Sequence, residues 1–201
     1  MENQNISQIL AIMVTDIVGY TQTMNEDDDK AWEYIKKQRN IIPSIVSQMN
    51  GHMFKEMGDG TYSKFKSAID AVQCAVRINN EAVRQELPIK IGVHLGEVKD
   101  DGKDVIGTGV NIADRINSLA TANKIIISDD IWRQIRNQAD MEASSMGKKE
   151  LKGYHESVEV FELRHNPDGT LTKKVKVTET VTFIDEDGKK VQAESAKKEF
   201  I

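Results

Sequence analysis

Ile9 to Val14 is an almost unbroken apolar run, the pattern of a short strand buried on both faces, and it stops at Thr15-Asp16. Gly19 then marks a turn, and the acidic cluster from Glu26 to Asp29 opens a helix at the end where its dipole favours negative charge. Trp32, Ile35, Ile42, Ile45, Val46 and Met49 recur at helical spacing until Asn50-Gly51 closes the element, and Pro43 is expected to kink it. His52 to Phe65 reads as two short strands around the tight turn Gly58-Asp59-Gly60. Ser67 is a ready N-cap for a helix to about Gln85, with Ile69, Val72, Val76 and Val83 on its inner side. Beyond Pro88, Ile89, Ile91, Val93 and Leu95 alternate with Lys90, Gly92 and His94, which predicts a half-buried strand.

A polar loop from Lys99 to Lys103 leads to Gly107 and Gly109, after which Ile112, Ile116 and Leu119 mark one face of a helix. Ile125 to Ile127 predicts a central strand, Ser128 caps a short helix carrying Ile131 and Ile135, and Tyr154 to Leu163 predicts one more strand. The order β-α-β-β-α-β with a βαβαβ-like continuation is that of an α+β protein with a ferredoxin-like core. Residues 1–165 are expected to form this domain. Residues 166–201 differ: Pro167-Asp168-Gly169 and Glu186-Asp187-Gly188 flank Leu171, Val175, Val177, Val181 and Phe183 at even spacing, the signature of a C-terminal β-hairpin or meander.

Charge narrows the partners. Among 201 residues, 27 are basic and 32 acidic, so a net charge of −5 argues against nucleic acid as a partner. Substrate phosphates then need metals or a few placed cations. The single cysteine, Cys74, excludes an intramolecular disulfide and lies in a helical pattern beside Ala75 and Val76, where packing is its ordinary role. The N-terminus lacks the basic region of a secretory signal, and no apolar stretch approaches the length of a membrane span. A cytoplasmic protein with no membrane partner is expected.

Two features carry chemistry. Asp16 ends a buried strand and Asp59 sits at a hairpin tip; two carboxylates on adjacent strands supply the hard oxygen ligands that Mg²⁺ takes. Each alone is more often a cap or a turn residue. Asn111 and Arg115, four apart, share one face of the helix after Gly107 and Gly109, where an amide and a guanidinium suit a ribose oxygen and a phosphate oxygen. By spacing alone that face is equally a solvated polar one.

Together these segments resemble a known family. Ile12 to Thr21 is similar to the first metal motif of class III adenylyl and guanylyl cyclase catalytic domains, Lys55 to Gly60 to the second, and Asp104 to Arg115 to the third. Leu151-Lys152-Gly153 with Val158 to Leu163 resembles the family's closing strand, and the matches cover residues 8–164 in order. The resemblance implies an adenylate cyclase that converts ATP to 3′,5′-cyclic AMP and pyrophosphate with two divalent metal ions, Mg²⁺ or Mn²⁺, at the interface of a homodimer. It implies Asp16, Asp59 and the Ile17 carbonyl as metal ligands. Thr21 would lie near the triphosphate and Lys152 at its outer phosphates, Asn111 would orient the ribose, and Arg115 would stabilise charge on the α-phosphate. Lys55 and Asp104 would read adenine, by donating to N1 and accepting from the exocyclic amine. One protomer would supply the metal carboxylates and its partner the base-reading pair together with Asn111 and Arg115, so a monomer would be inactive.

Glu56 and Met57 depart from the family pattern, which has small or β-branched residues there. With Met1 a few residues before the first strand, no sensor domain is expected ahead of the catalytic segment. Competing readings are a silent homologue that binds nucleotide or a partner without turnover, a guanylate cyclase, and a structural interaction module. A diguanylate cyclase is disfavoured because Gly58-Asp59-Gly60 is a different turn from the Gly-Gly-Asp/Glu-Glu-Phe signature.

Overall fold

A computed structural model describes residues 6–102, 104–138, 141–154 and 156–164, together with the backbone of 179–184 and 190–195. Five antiparallel pairings and one parallel pairing make one long sheet from β1 (Ile6–Ile17), β2 (His52–Met57), β3 (Gly60–Phe65), β4 (Ile89–Asp100), β6 (Ile125–Ser128), β7 (Glu142–Lys149) and β8 (Val158–Arg164). Their order is β2-β3-β1-β4-β6-β8-β7, and the two-residue β5 (Val105–Ile106) pairs with the end of β4. The helices are α1 (Tyr20–Glu26), α2 (Asp28–Gln48), α3 (Ala68–Arg84), α4 (Thr108–Asn117) and α5 (Asp129–Ile135). The four-strand unit β2-β3-β1-β4 is the expected ferredoxin-like core. A separate hairpin, β9 (Glu179–Ile184) with β10 (Lys190–Ser195), lies in the C-terminal region. The rest of the expected meander, with its turns, falls outside the described residues.

Alternation along β1 sorts the two faces of the sheet. Ala11, Met13 and Ile17 join a core with α2, α3 and α5, whereas Leu10, Ile12 and Val14 pack toward Val98, Val105 and Ala113 of α4. Ser67 caps α3 by accepting from the Asp70 N–H at 3.2 Å, and Ser128 caps α5 by accepting from the Ile131 N–H at 3.4 Å. Pro43 sits inside α2 without ending it, and α2 closes at Asn50, which takes a positive φ of 57°.

Several expectations change. Val83, expected on the inner side of α3, is 40% exposed, and α1 forms where the sequence predicts only a turn. β4 is buried on both faces rather than half-buried, because α4 covers the side that carries Lys90, Gly92 and His94. At Gly92 a Cβ would stand 2.4 Å from the Asn117 backbone nitrogen, so only glycine lets α4 settle on the strand. The last strand begins at Val158 rather than at Tyr154. An additional edge strand, β7, was not expected; its Ser144, Ser145, Gly147 and Lys148 lack an apolar alternation, and a register shift between Ser145 and Lys148 interrupts it.

His94, 5% exposed, places Nδ1 at 2.9 Å from Ser128 Oγ and 4.0 Å from Asp130 Oδ2. Burial pushes its pKa down to about 4, against an opposing pull from the Asp130 carboxylate. The unfolded chain therefore takes up this proton first as pH falls. The stability that depends on neutral His94 is complete above pH 6.5 and drains away toward pH 4. Thermal melts at pH 7.0 and 5.0 should show His94→Asn losing about 2 kcal/mol less than the parent between the two. The opposite contribution from Asp59 is common to both proteins and cancels.

Candidate functional site

The end of β1 and the β2–β3 turn meet at one corner of the sheet. Met57 pairs with Gly60, so Gly58 and Asp59 form a two-residue turn; Gly58 at φ 62° supplies the positive first position that a II′ turn requires. Thr15 pairs with Thr61, which brings the next residue, Asp16, beside that turn. Asp16 Oδ1 faces that turn, 3.9 Å from where a Cβ on Gly60 would stand, so the two carboxyl groups share the corner. Burial, then the hydrogen bond and the charge of Asp16, push the Asp59 pKa up to about 6. Folding thus holds two like charges together, an arrangement that an oxygen-seeking cation relieves. The donor set, one carboxylate from the strand end that carries Ile17 and one from the adjoining turn, fits a hard divalent ion.

Lys90 Nζ lies 2.9 Å from Asp16 Oδ2, the two being partners in the β1–β4 register. Reading the sequence alone missed this lysine, since the alternation of β4 marks it only as a polar position. Thr21 is exposed in the first turn of α1, which follows Gly19 directly.

Lys55 reaches its place through a β-bulge. The β2–β3 register shifts between Met53 and Lys55, which sets Lys55 opposite Tyr62. Without the extra residue, alternation would pair Lys55 with Thr61 on the core side. Glu56, exposed at the surface, pairs with Arg39 of α2 at 2.6 Å. Asp104 precedes β5, its Oδ1 accepting from the Val105 N–H at 2.8 Å and its own N–H donating to Asp101 at 2.8 Å. Among the described residues no ion pair joins Lys55 to Asp104.

A second cluster lies on α4. Asn111 and Arg115 are both exposed and line an open groove with Thr108, Leu151, Lys152 and Tyr154. Leu151, 5% exposed, anchors the turn that presents Lys152. Asp114 accepts from Tyr62 Oη at 3.0 Å, which fastens α4 to β3. Burial, followed by the Asp114 charge, pushes the Tyr62 pKa up to about 12, so the phenol stays a donor.

The candidate residues thus fall into a carboxylate corner (Asp16, Ile17, Asp59) and a groove (Asn111, Arg115, Lys152), with Lys55 on β2 and Asp104 just ahead of β5. Among the described residues no group of three His, Cys, Asp or Glu side chains suits a metal, so the corner offers two carboxylates and backbone oxygen. No helix is long and apolar enough to cross a membrane.

Residues 1–165 match the model of the "Adenylate and Guanylate cyclase catalytic domain". A Rhizobium meliloti (strain 1021) protein provisionally named adenylate cyclase 3 is 29% identical over 163 residues, 77% of this chain and 28% of that protein. The adenylate cyclase of Streptomyces coelicolor is 23% identical over 146 residues, 71% of this chain and 38% of that protein. The chain therefore spans well under half the length of these relatives. In solved structures, the adenylate/guanylate cyclase/hydrolase from Silicibacter pomeroyi superposes with a TM-score of 0.73 at 23% identity, covering 79% of this chain and 97% of that one. The adenylyl cyclase CyaB from P. aeruginosa gives 0.71 at 20% identity, covering 80% and 96%.

Proposed function

The chain belongs to the adenylate and guanylate cyclase catalytic domain family, and from that premise we propose that it is a cytoplasmic adenylate cyclase, forming 3′,5′-cyclic AMP and pyrophosphate from ATP as a homodimer. One observation carries the proposal: strand register sets Asp16, at the end of a buried strand, beside the two-residue turn that bears Asp59. Nothing in the packing of a hairpin requires that placement, whereas cation binding does.

Two Mg²⁺ or Mn²⁺ ions would supply Lewis acidity for the attacking 3′-oxygen and charge neutralisation for the leaving pyrophosphate. Asp16, Asp59 and the Ile17 carbonyl would hold them. Lys90 keeps the Asp16 carboxylate neutralised until then. Thr21 and the free N–H groups of the first turn of α1 would face the triphosphate. The partner protomer's α4 would bring Asn111 to the ribose and Arg115 to the α-phosphate, with Lys152 at the outer phosphates. Asn111 fixes the sugar so that its 3′-hydroxyl points at phosphorus, and Arg115 binds charge that grows as the bond forms. The direct test incubates purified protein with Mn²⁺ or Mg²⁺ and either ATP or GTP; cyclic AMP as the main product supports the assignment, and no cyclic nucleotide from either sinks it.

Base choice rests on Lys55 and Asp104, since adenine offers an acceptor at N1 and a donor at its amine. Guanine reverses both, leaving each partner with a mismatched polar atom. The double variant Lys55→Ala/Asp104→Ala should lower the ATP-over-GTP ratio of kcat/KM by about 10²-fold, measured with both nucleotides under one set of conditions.

A further inference from the structure

Behind the carboxylate corner lies a small set of buried polar groups that no step above uses. Gln38 of α2, 0% exposed, donates from Nε2 to the Asp59 carbonyl oxygen at 2.6 Å. That acceptor fixes the orientation of the amide, which leaves Gln38 Oε1 buried without a hydrogen-bond partner. In the strands that flank the corner, Thr15 Oγ1 and Thr61 Oγ1 are bonded at 2.7 Å, with the two residues 0% and 3% exposed. Thr15 directly precedes Asp16, and Thr61 stands two residues after Asp59. One contact holds the turn from below and the other ties together the two strands that carry the acids.

Burying these groups is unfavourable unless their position matters. A core helix residue facing α2's neighbours could be apolar at no loss, and the half-satisfied Gln38 amide adds a further penalty. An apolar side chain at position 38 would leave the Asp59 carbonyl to rotate, and the acid would rotate with it.

We propose that Gln38, Thr15 and Thr61 are positioning residues that set the spacing and direction of the Asp16 and Asp59 carboxylates and thereby their affinity for divalent cations. The proposal rests on the assignment of those two acids as metal ligands. Partners that orient ligands from behind typically change metal affinity by about 10–100-fold when removed. Gln38→Met keeps the volume and loses the donor; Thr61→Val keeps the shape and loses the hydroxyl, and Thr61→Ser keeps the hydroxyl.

The experiment titrates the full chain with Mn²⁺ alone and follows the free-ion signal by electron paramagnetic resonance, with metal-free melts in parallel. Gln38→Met and Thr61→Val should bind Mn²⁺ at least about tenfold more weakly than wild type, and Thr61→Ser should bind nearly as wild type. Lower melting temperatures with unchanged Mn²⁺ affinity would show a merely structural role and overturn the proposal. If Gln38→Met fails to fold, the Thr61→Val and Thr61→Ser pair decides by itself. Asp59→Asn separates the two levels: if it binds Mn²⁺ as well as wild type, or wild type binds none, the metal assignment itself fails. If Asp59→Asn loses binding while the positioning variants keep it, only the present proposal falls.

Discussion

Asp59→Asn is expected to lower cyclic AMP formation by about 10³-fold and, at the same time, to raise the metal-free melting temperature at pH 7.5. The two effects share one cause. Burial and the adjoining Asp16 carboxyl raise the Asp59 pKa to about 6, so ionising the group disfavours the folded chain. An acid whose folded pKa lies above its unfolded value of 3.8 removes stability as pH rises through that window, and the loss persists at neutral pH. Asparagine keeps the shape of the side chain and ends the repulsion. After allowance for solvent screening of a half-exposed group, about 1 kcal/mol returns, or roughly 2–4 °C. Melts in EDTA and a product assay with Mn²⁺ check both halves. A variant that retained turnover would remove the carboxylate corner from the mechanism.

Mixing Asp16→Ala with Asn111→Ala protein should restore activity that neither has alone. In the proposed homodimer each variant by itself would carry the same defect in both sites, and loss of either group is expected to reduce turnover by about 10²–10³-fold. After subunit exchange half the dimers are mixed, and each mixed dimer has one site with both lesions and one with none. The mixture should therefore approach about a quarter of wild-type activity. The geometry makes the test fair, since Asp16 lies at the end of β1 while Asn111 is exposed on the surface of α4. A mixture as inactive as its components would exclude the shared site.

Local chemistry made much of this structure legible in advance. Ser67 and Ser128 are caps whose bonds the backbone needs, and a glycine before Asp59 is what a two-residue turn demands. The position of Asn111 and Arg115 on one helix follows from spacing alone. What stayed hidden depends on partners far away in the chain. Lys90 and His94 look like the wet side of a strand until α4, whose helical pattern says nothing of where it docks, covers that side. The bulge that swings Lys55 opposite Tyr62 is a property of a pairing, and neither strand shows it separately. Gln38 interrupts an apolar stripe of α2, a signal that could have been noticed as a polar residue in a core position, though its acceptor 21 residues away could not.

One face of β4 runs Lys90, Gly92, His94, Gly96, opposite Asp16, Val14, Ile12 and Leu10 of β1. Lys90 tends the acidic corner and Gly92 makes room for the helix that bears Arg115, so a single ribbon underlies both halves of the proposed site. Attempts to retune this protein toward another nucleobase should leave that ribbon untouched. The freedom for redesign lies at the sheet's rim, in β2 and in the approach to β5, where Lys55 and Asp104 stand in solvent and replacement disturbs no interior.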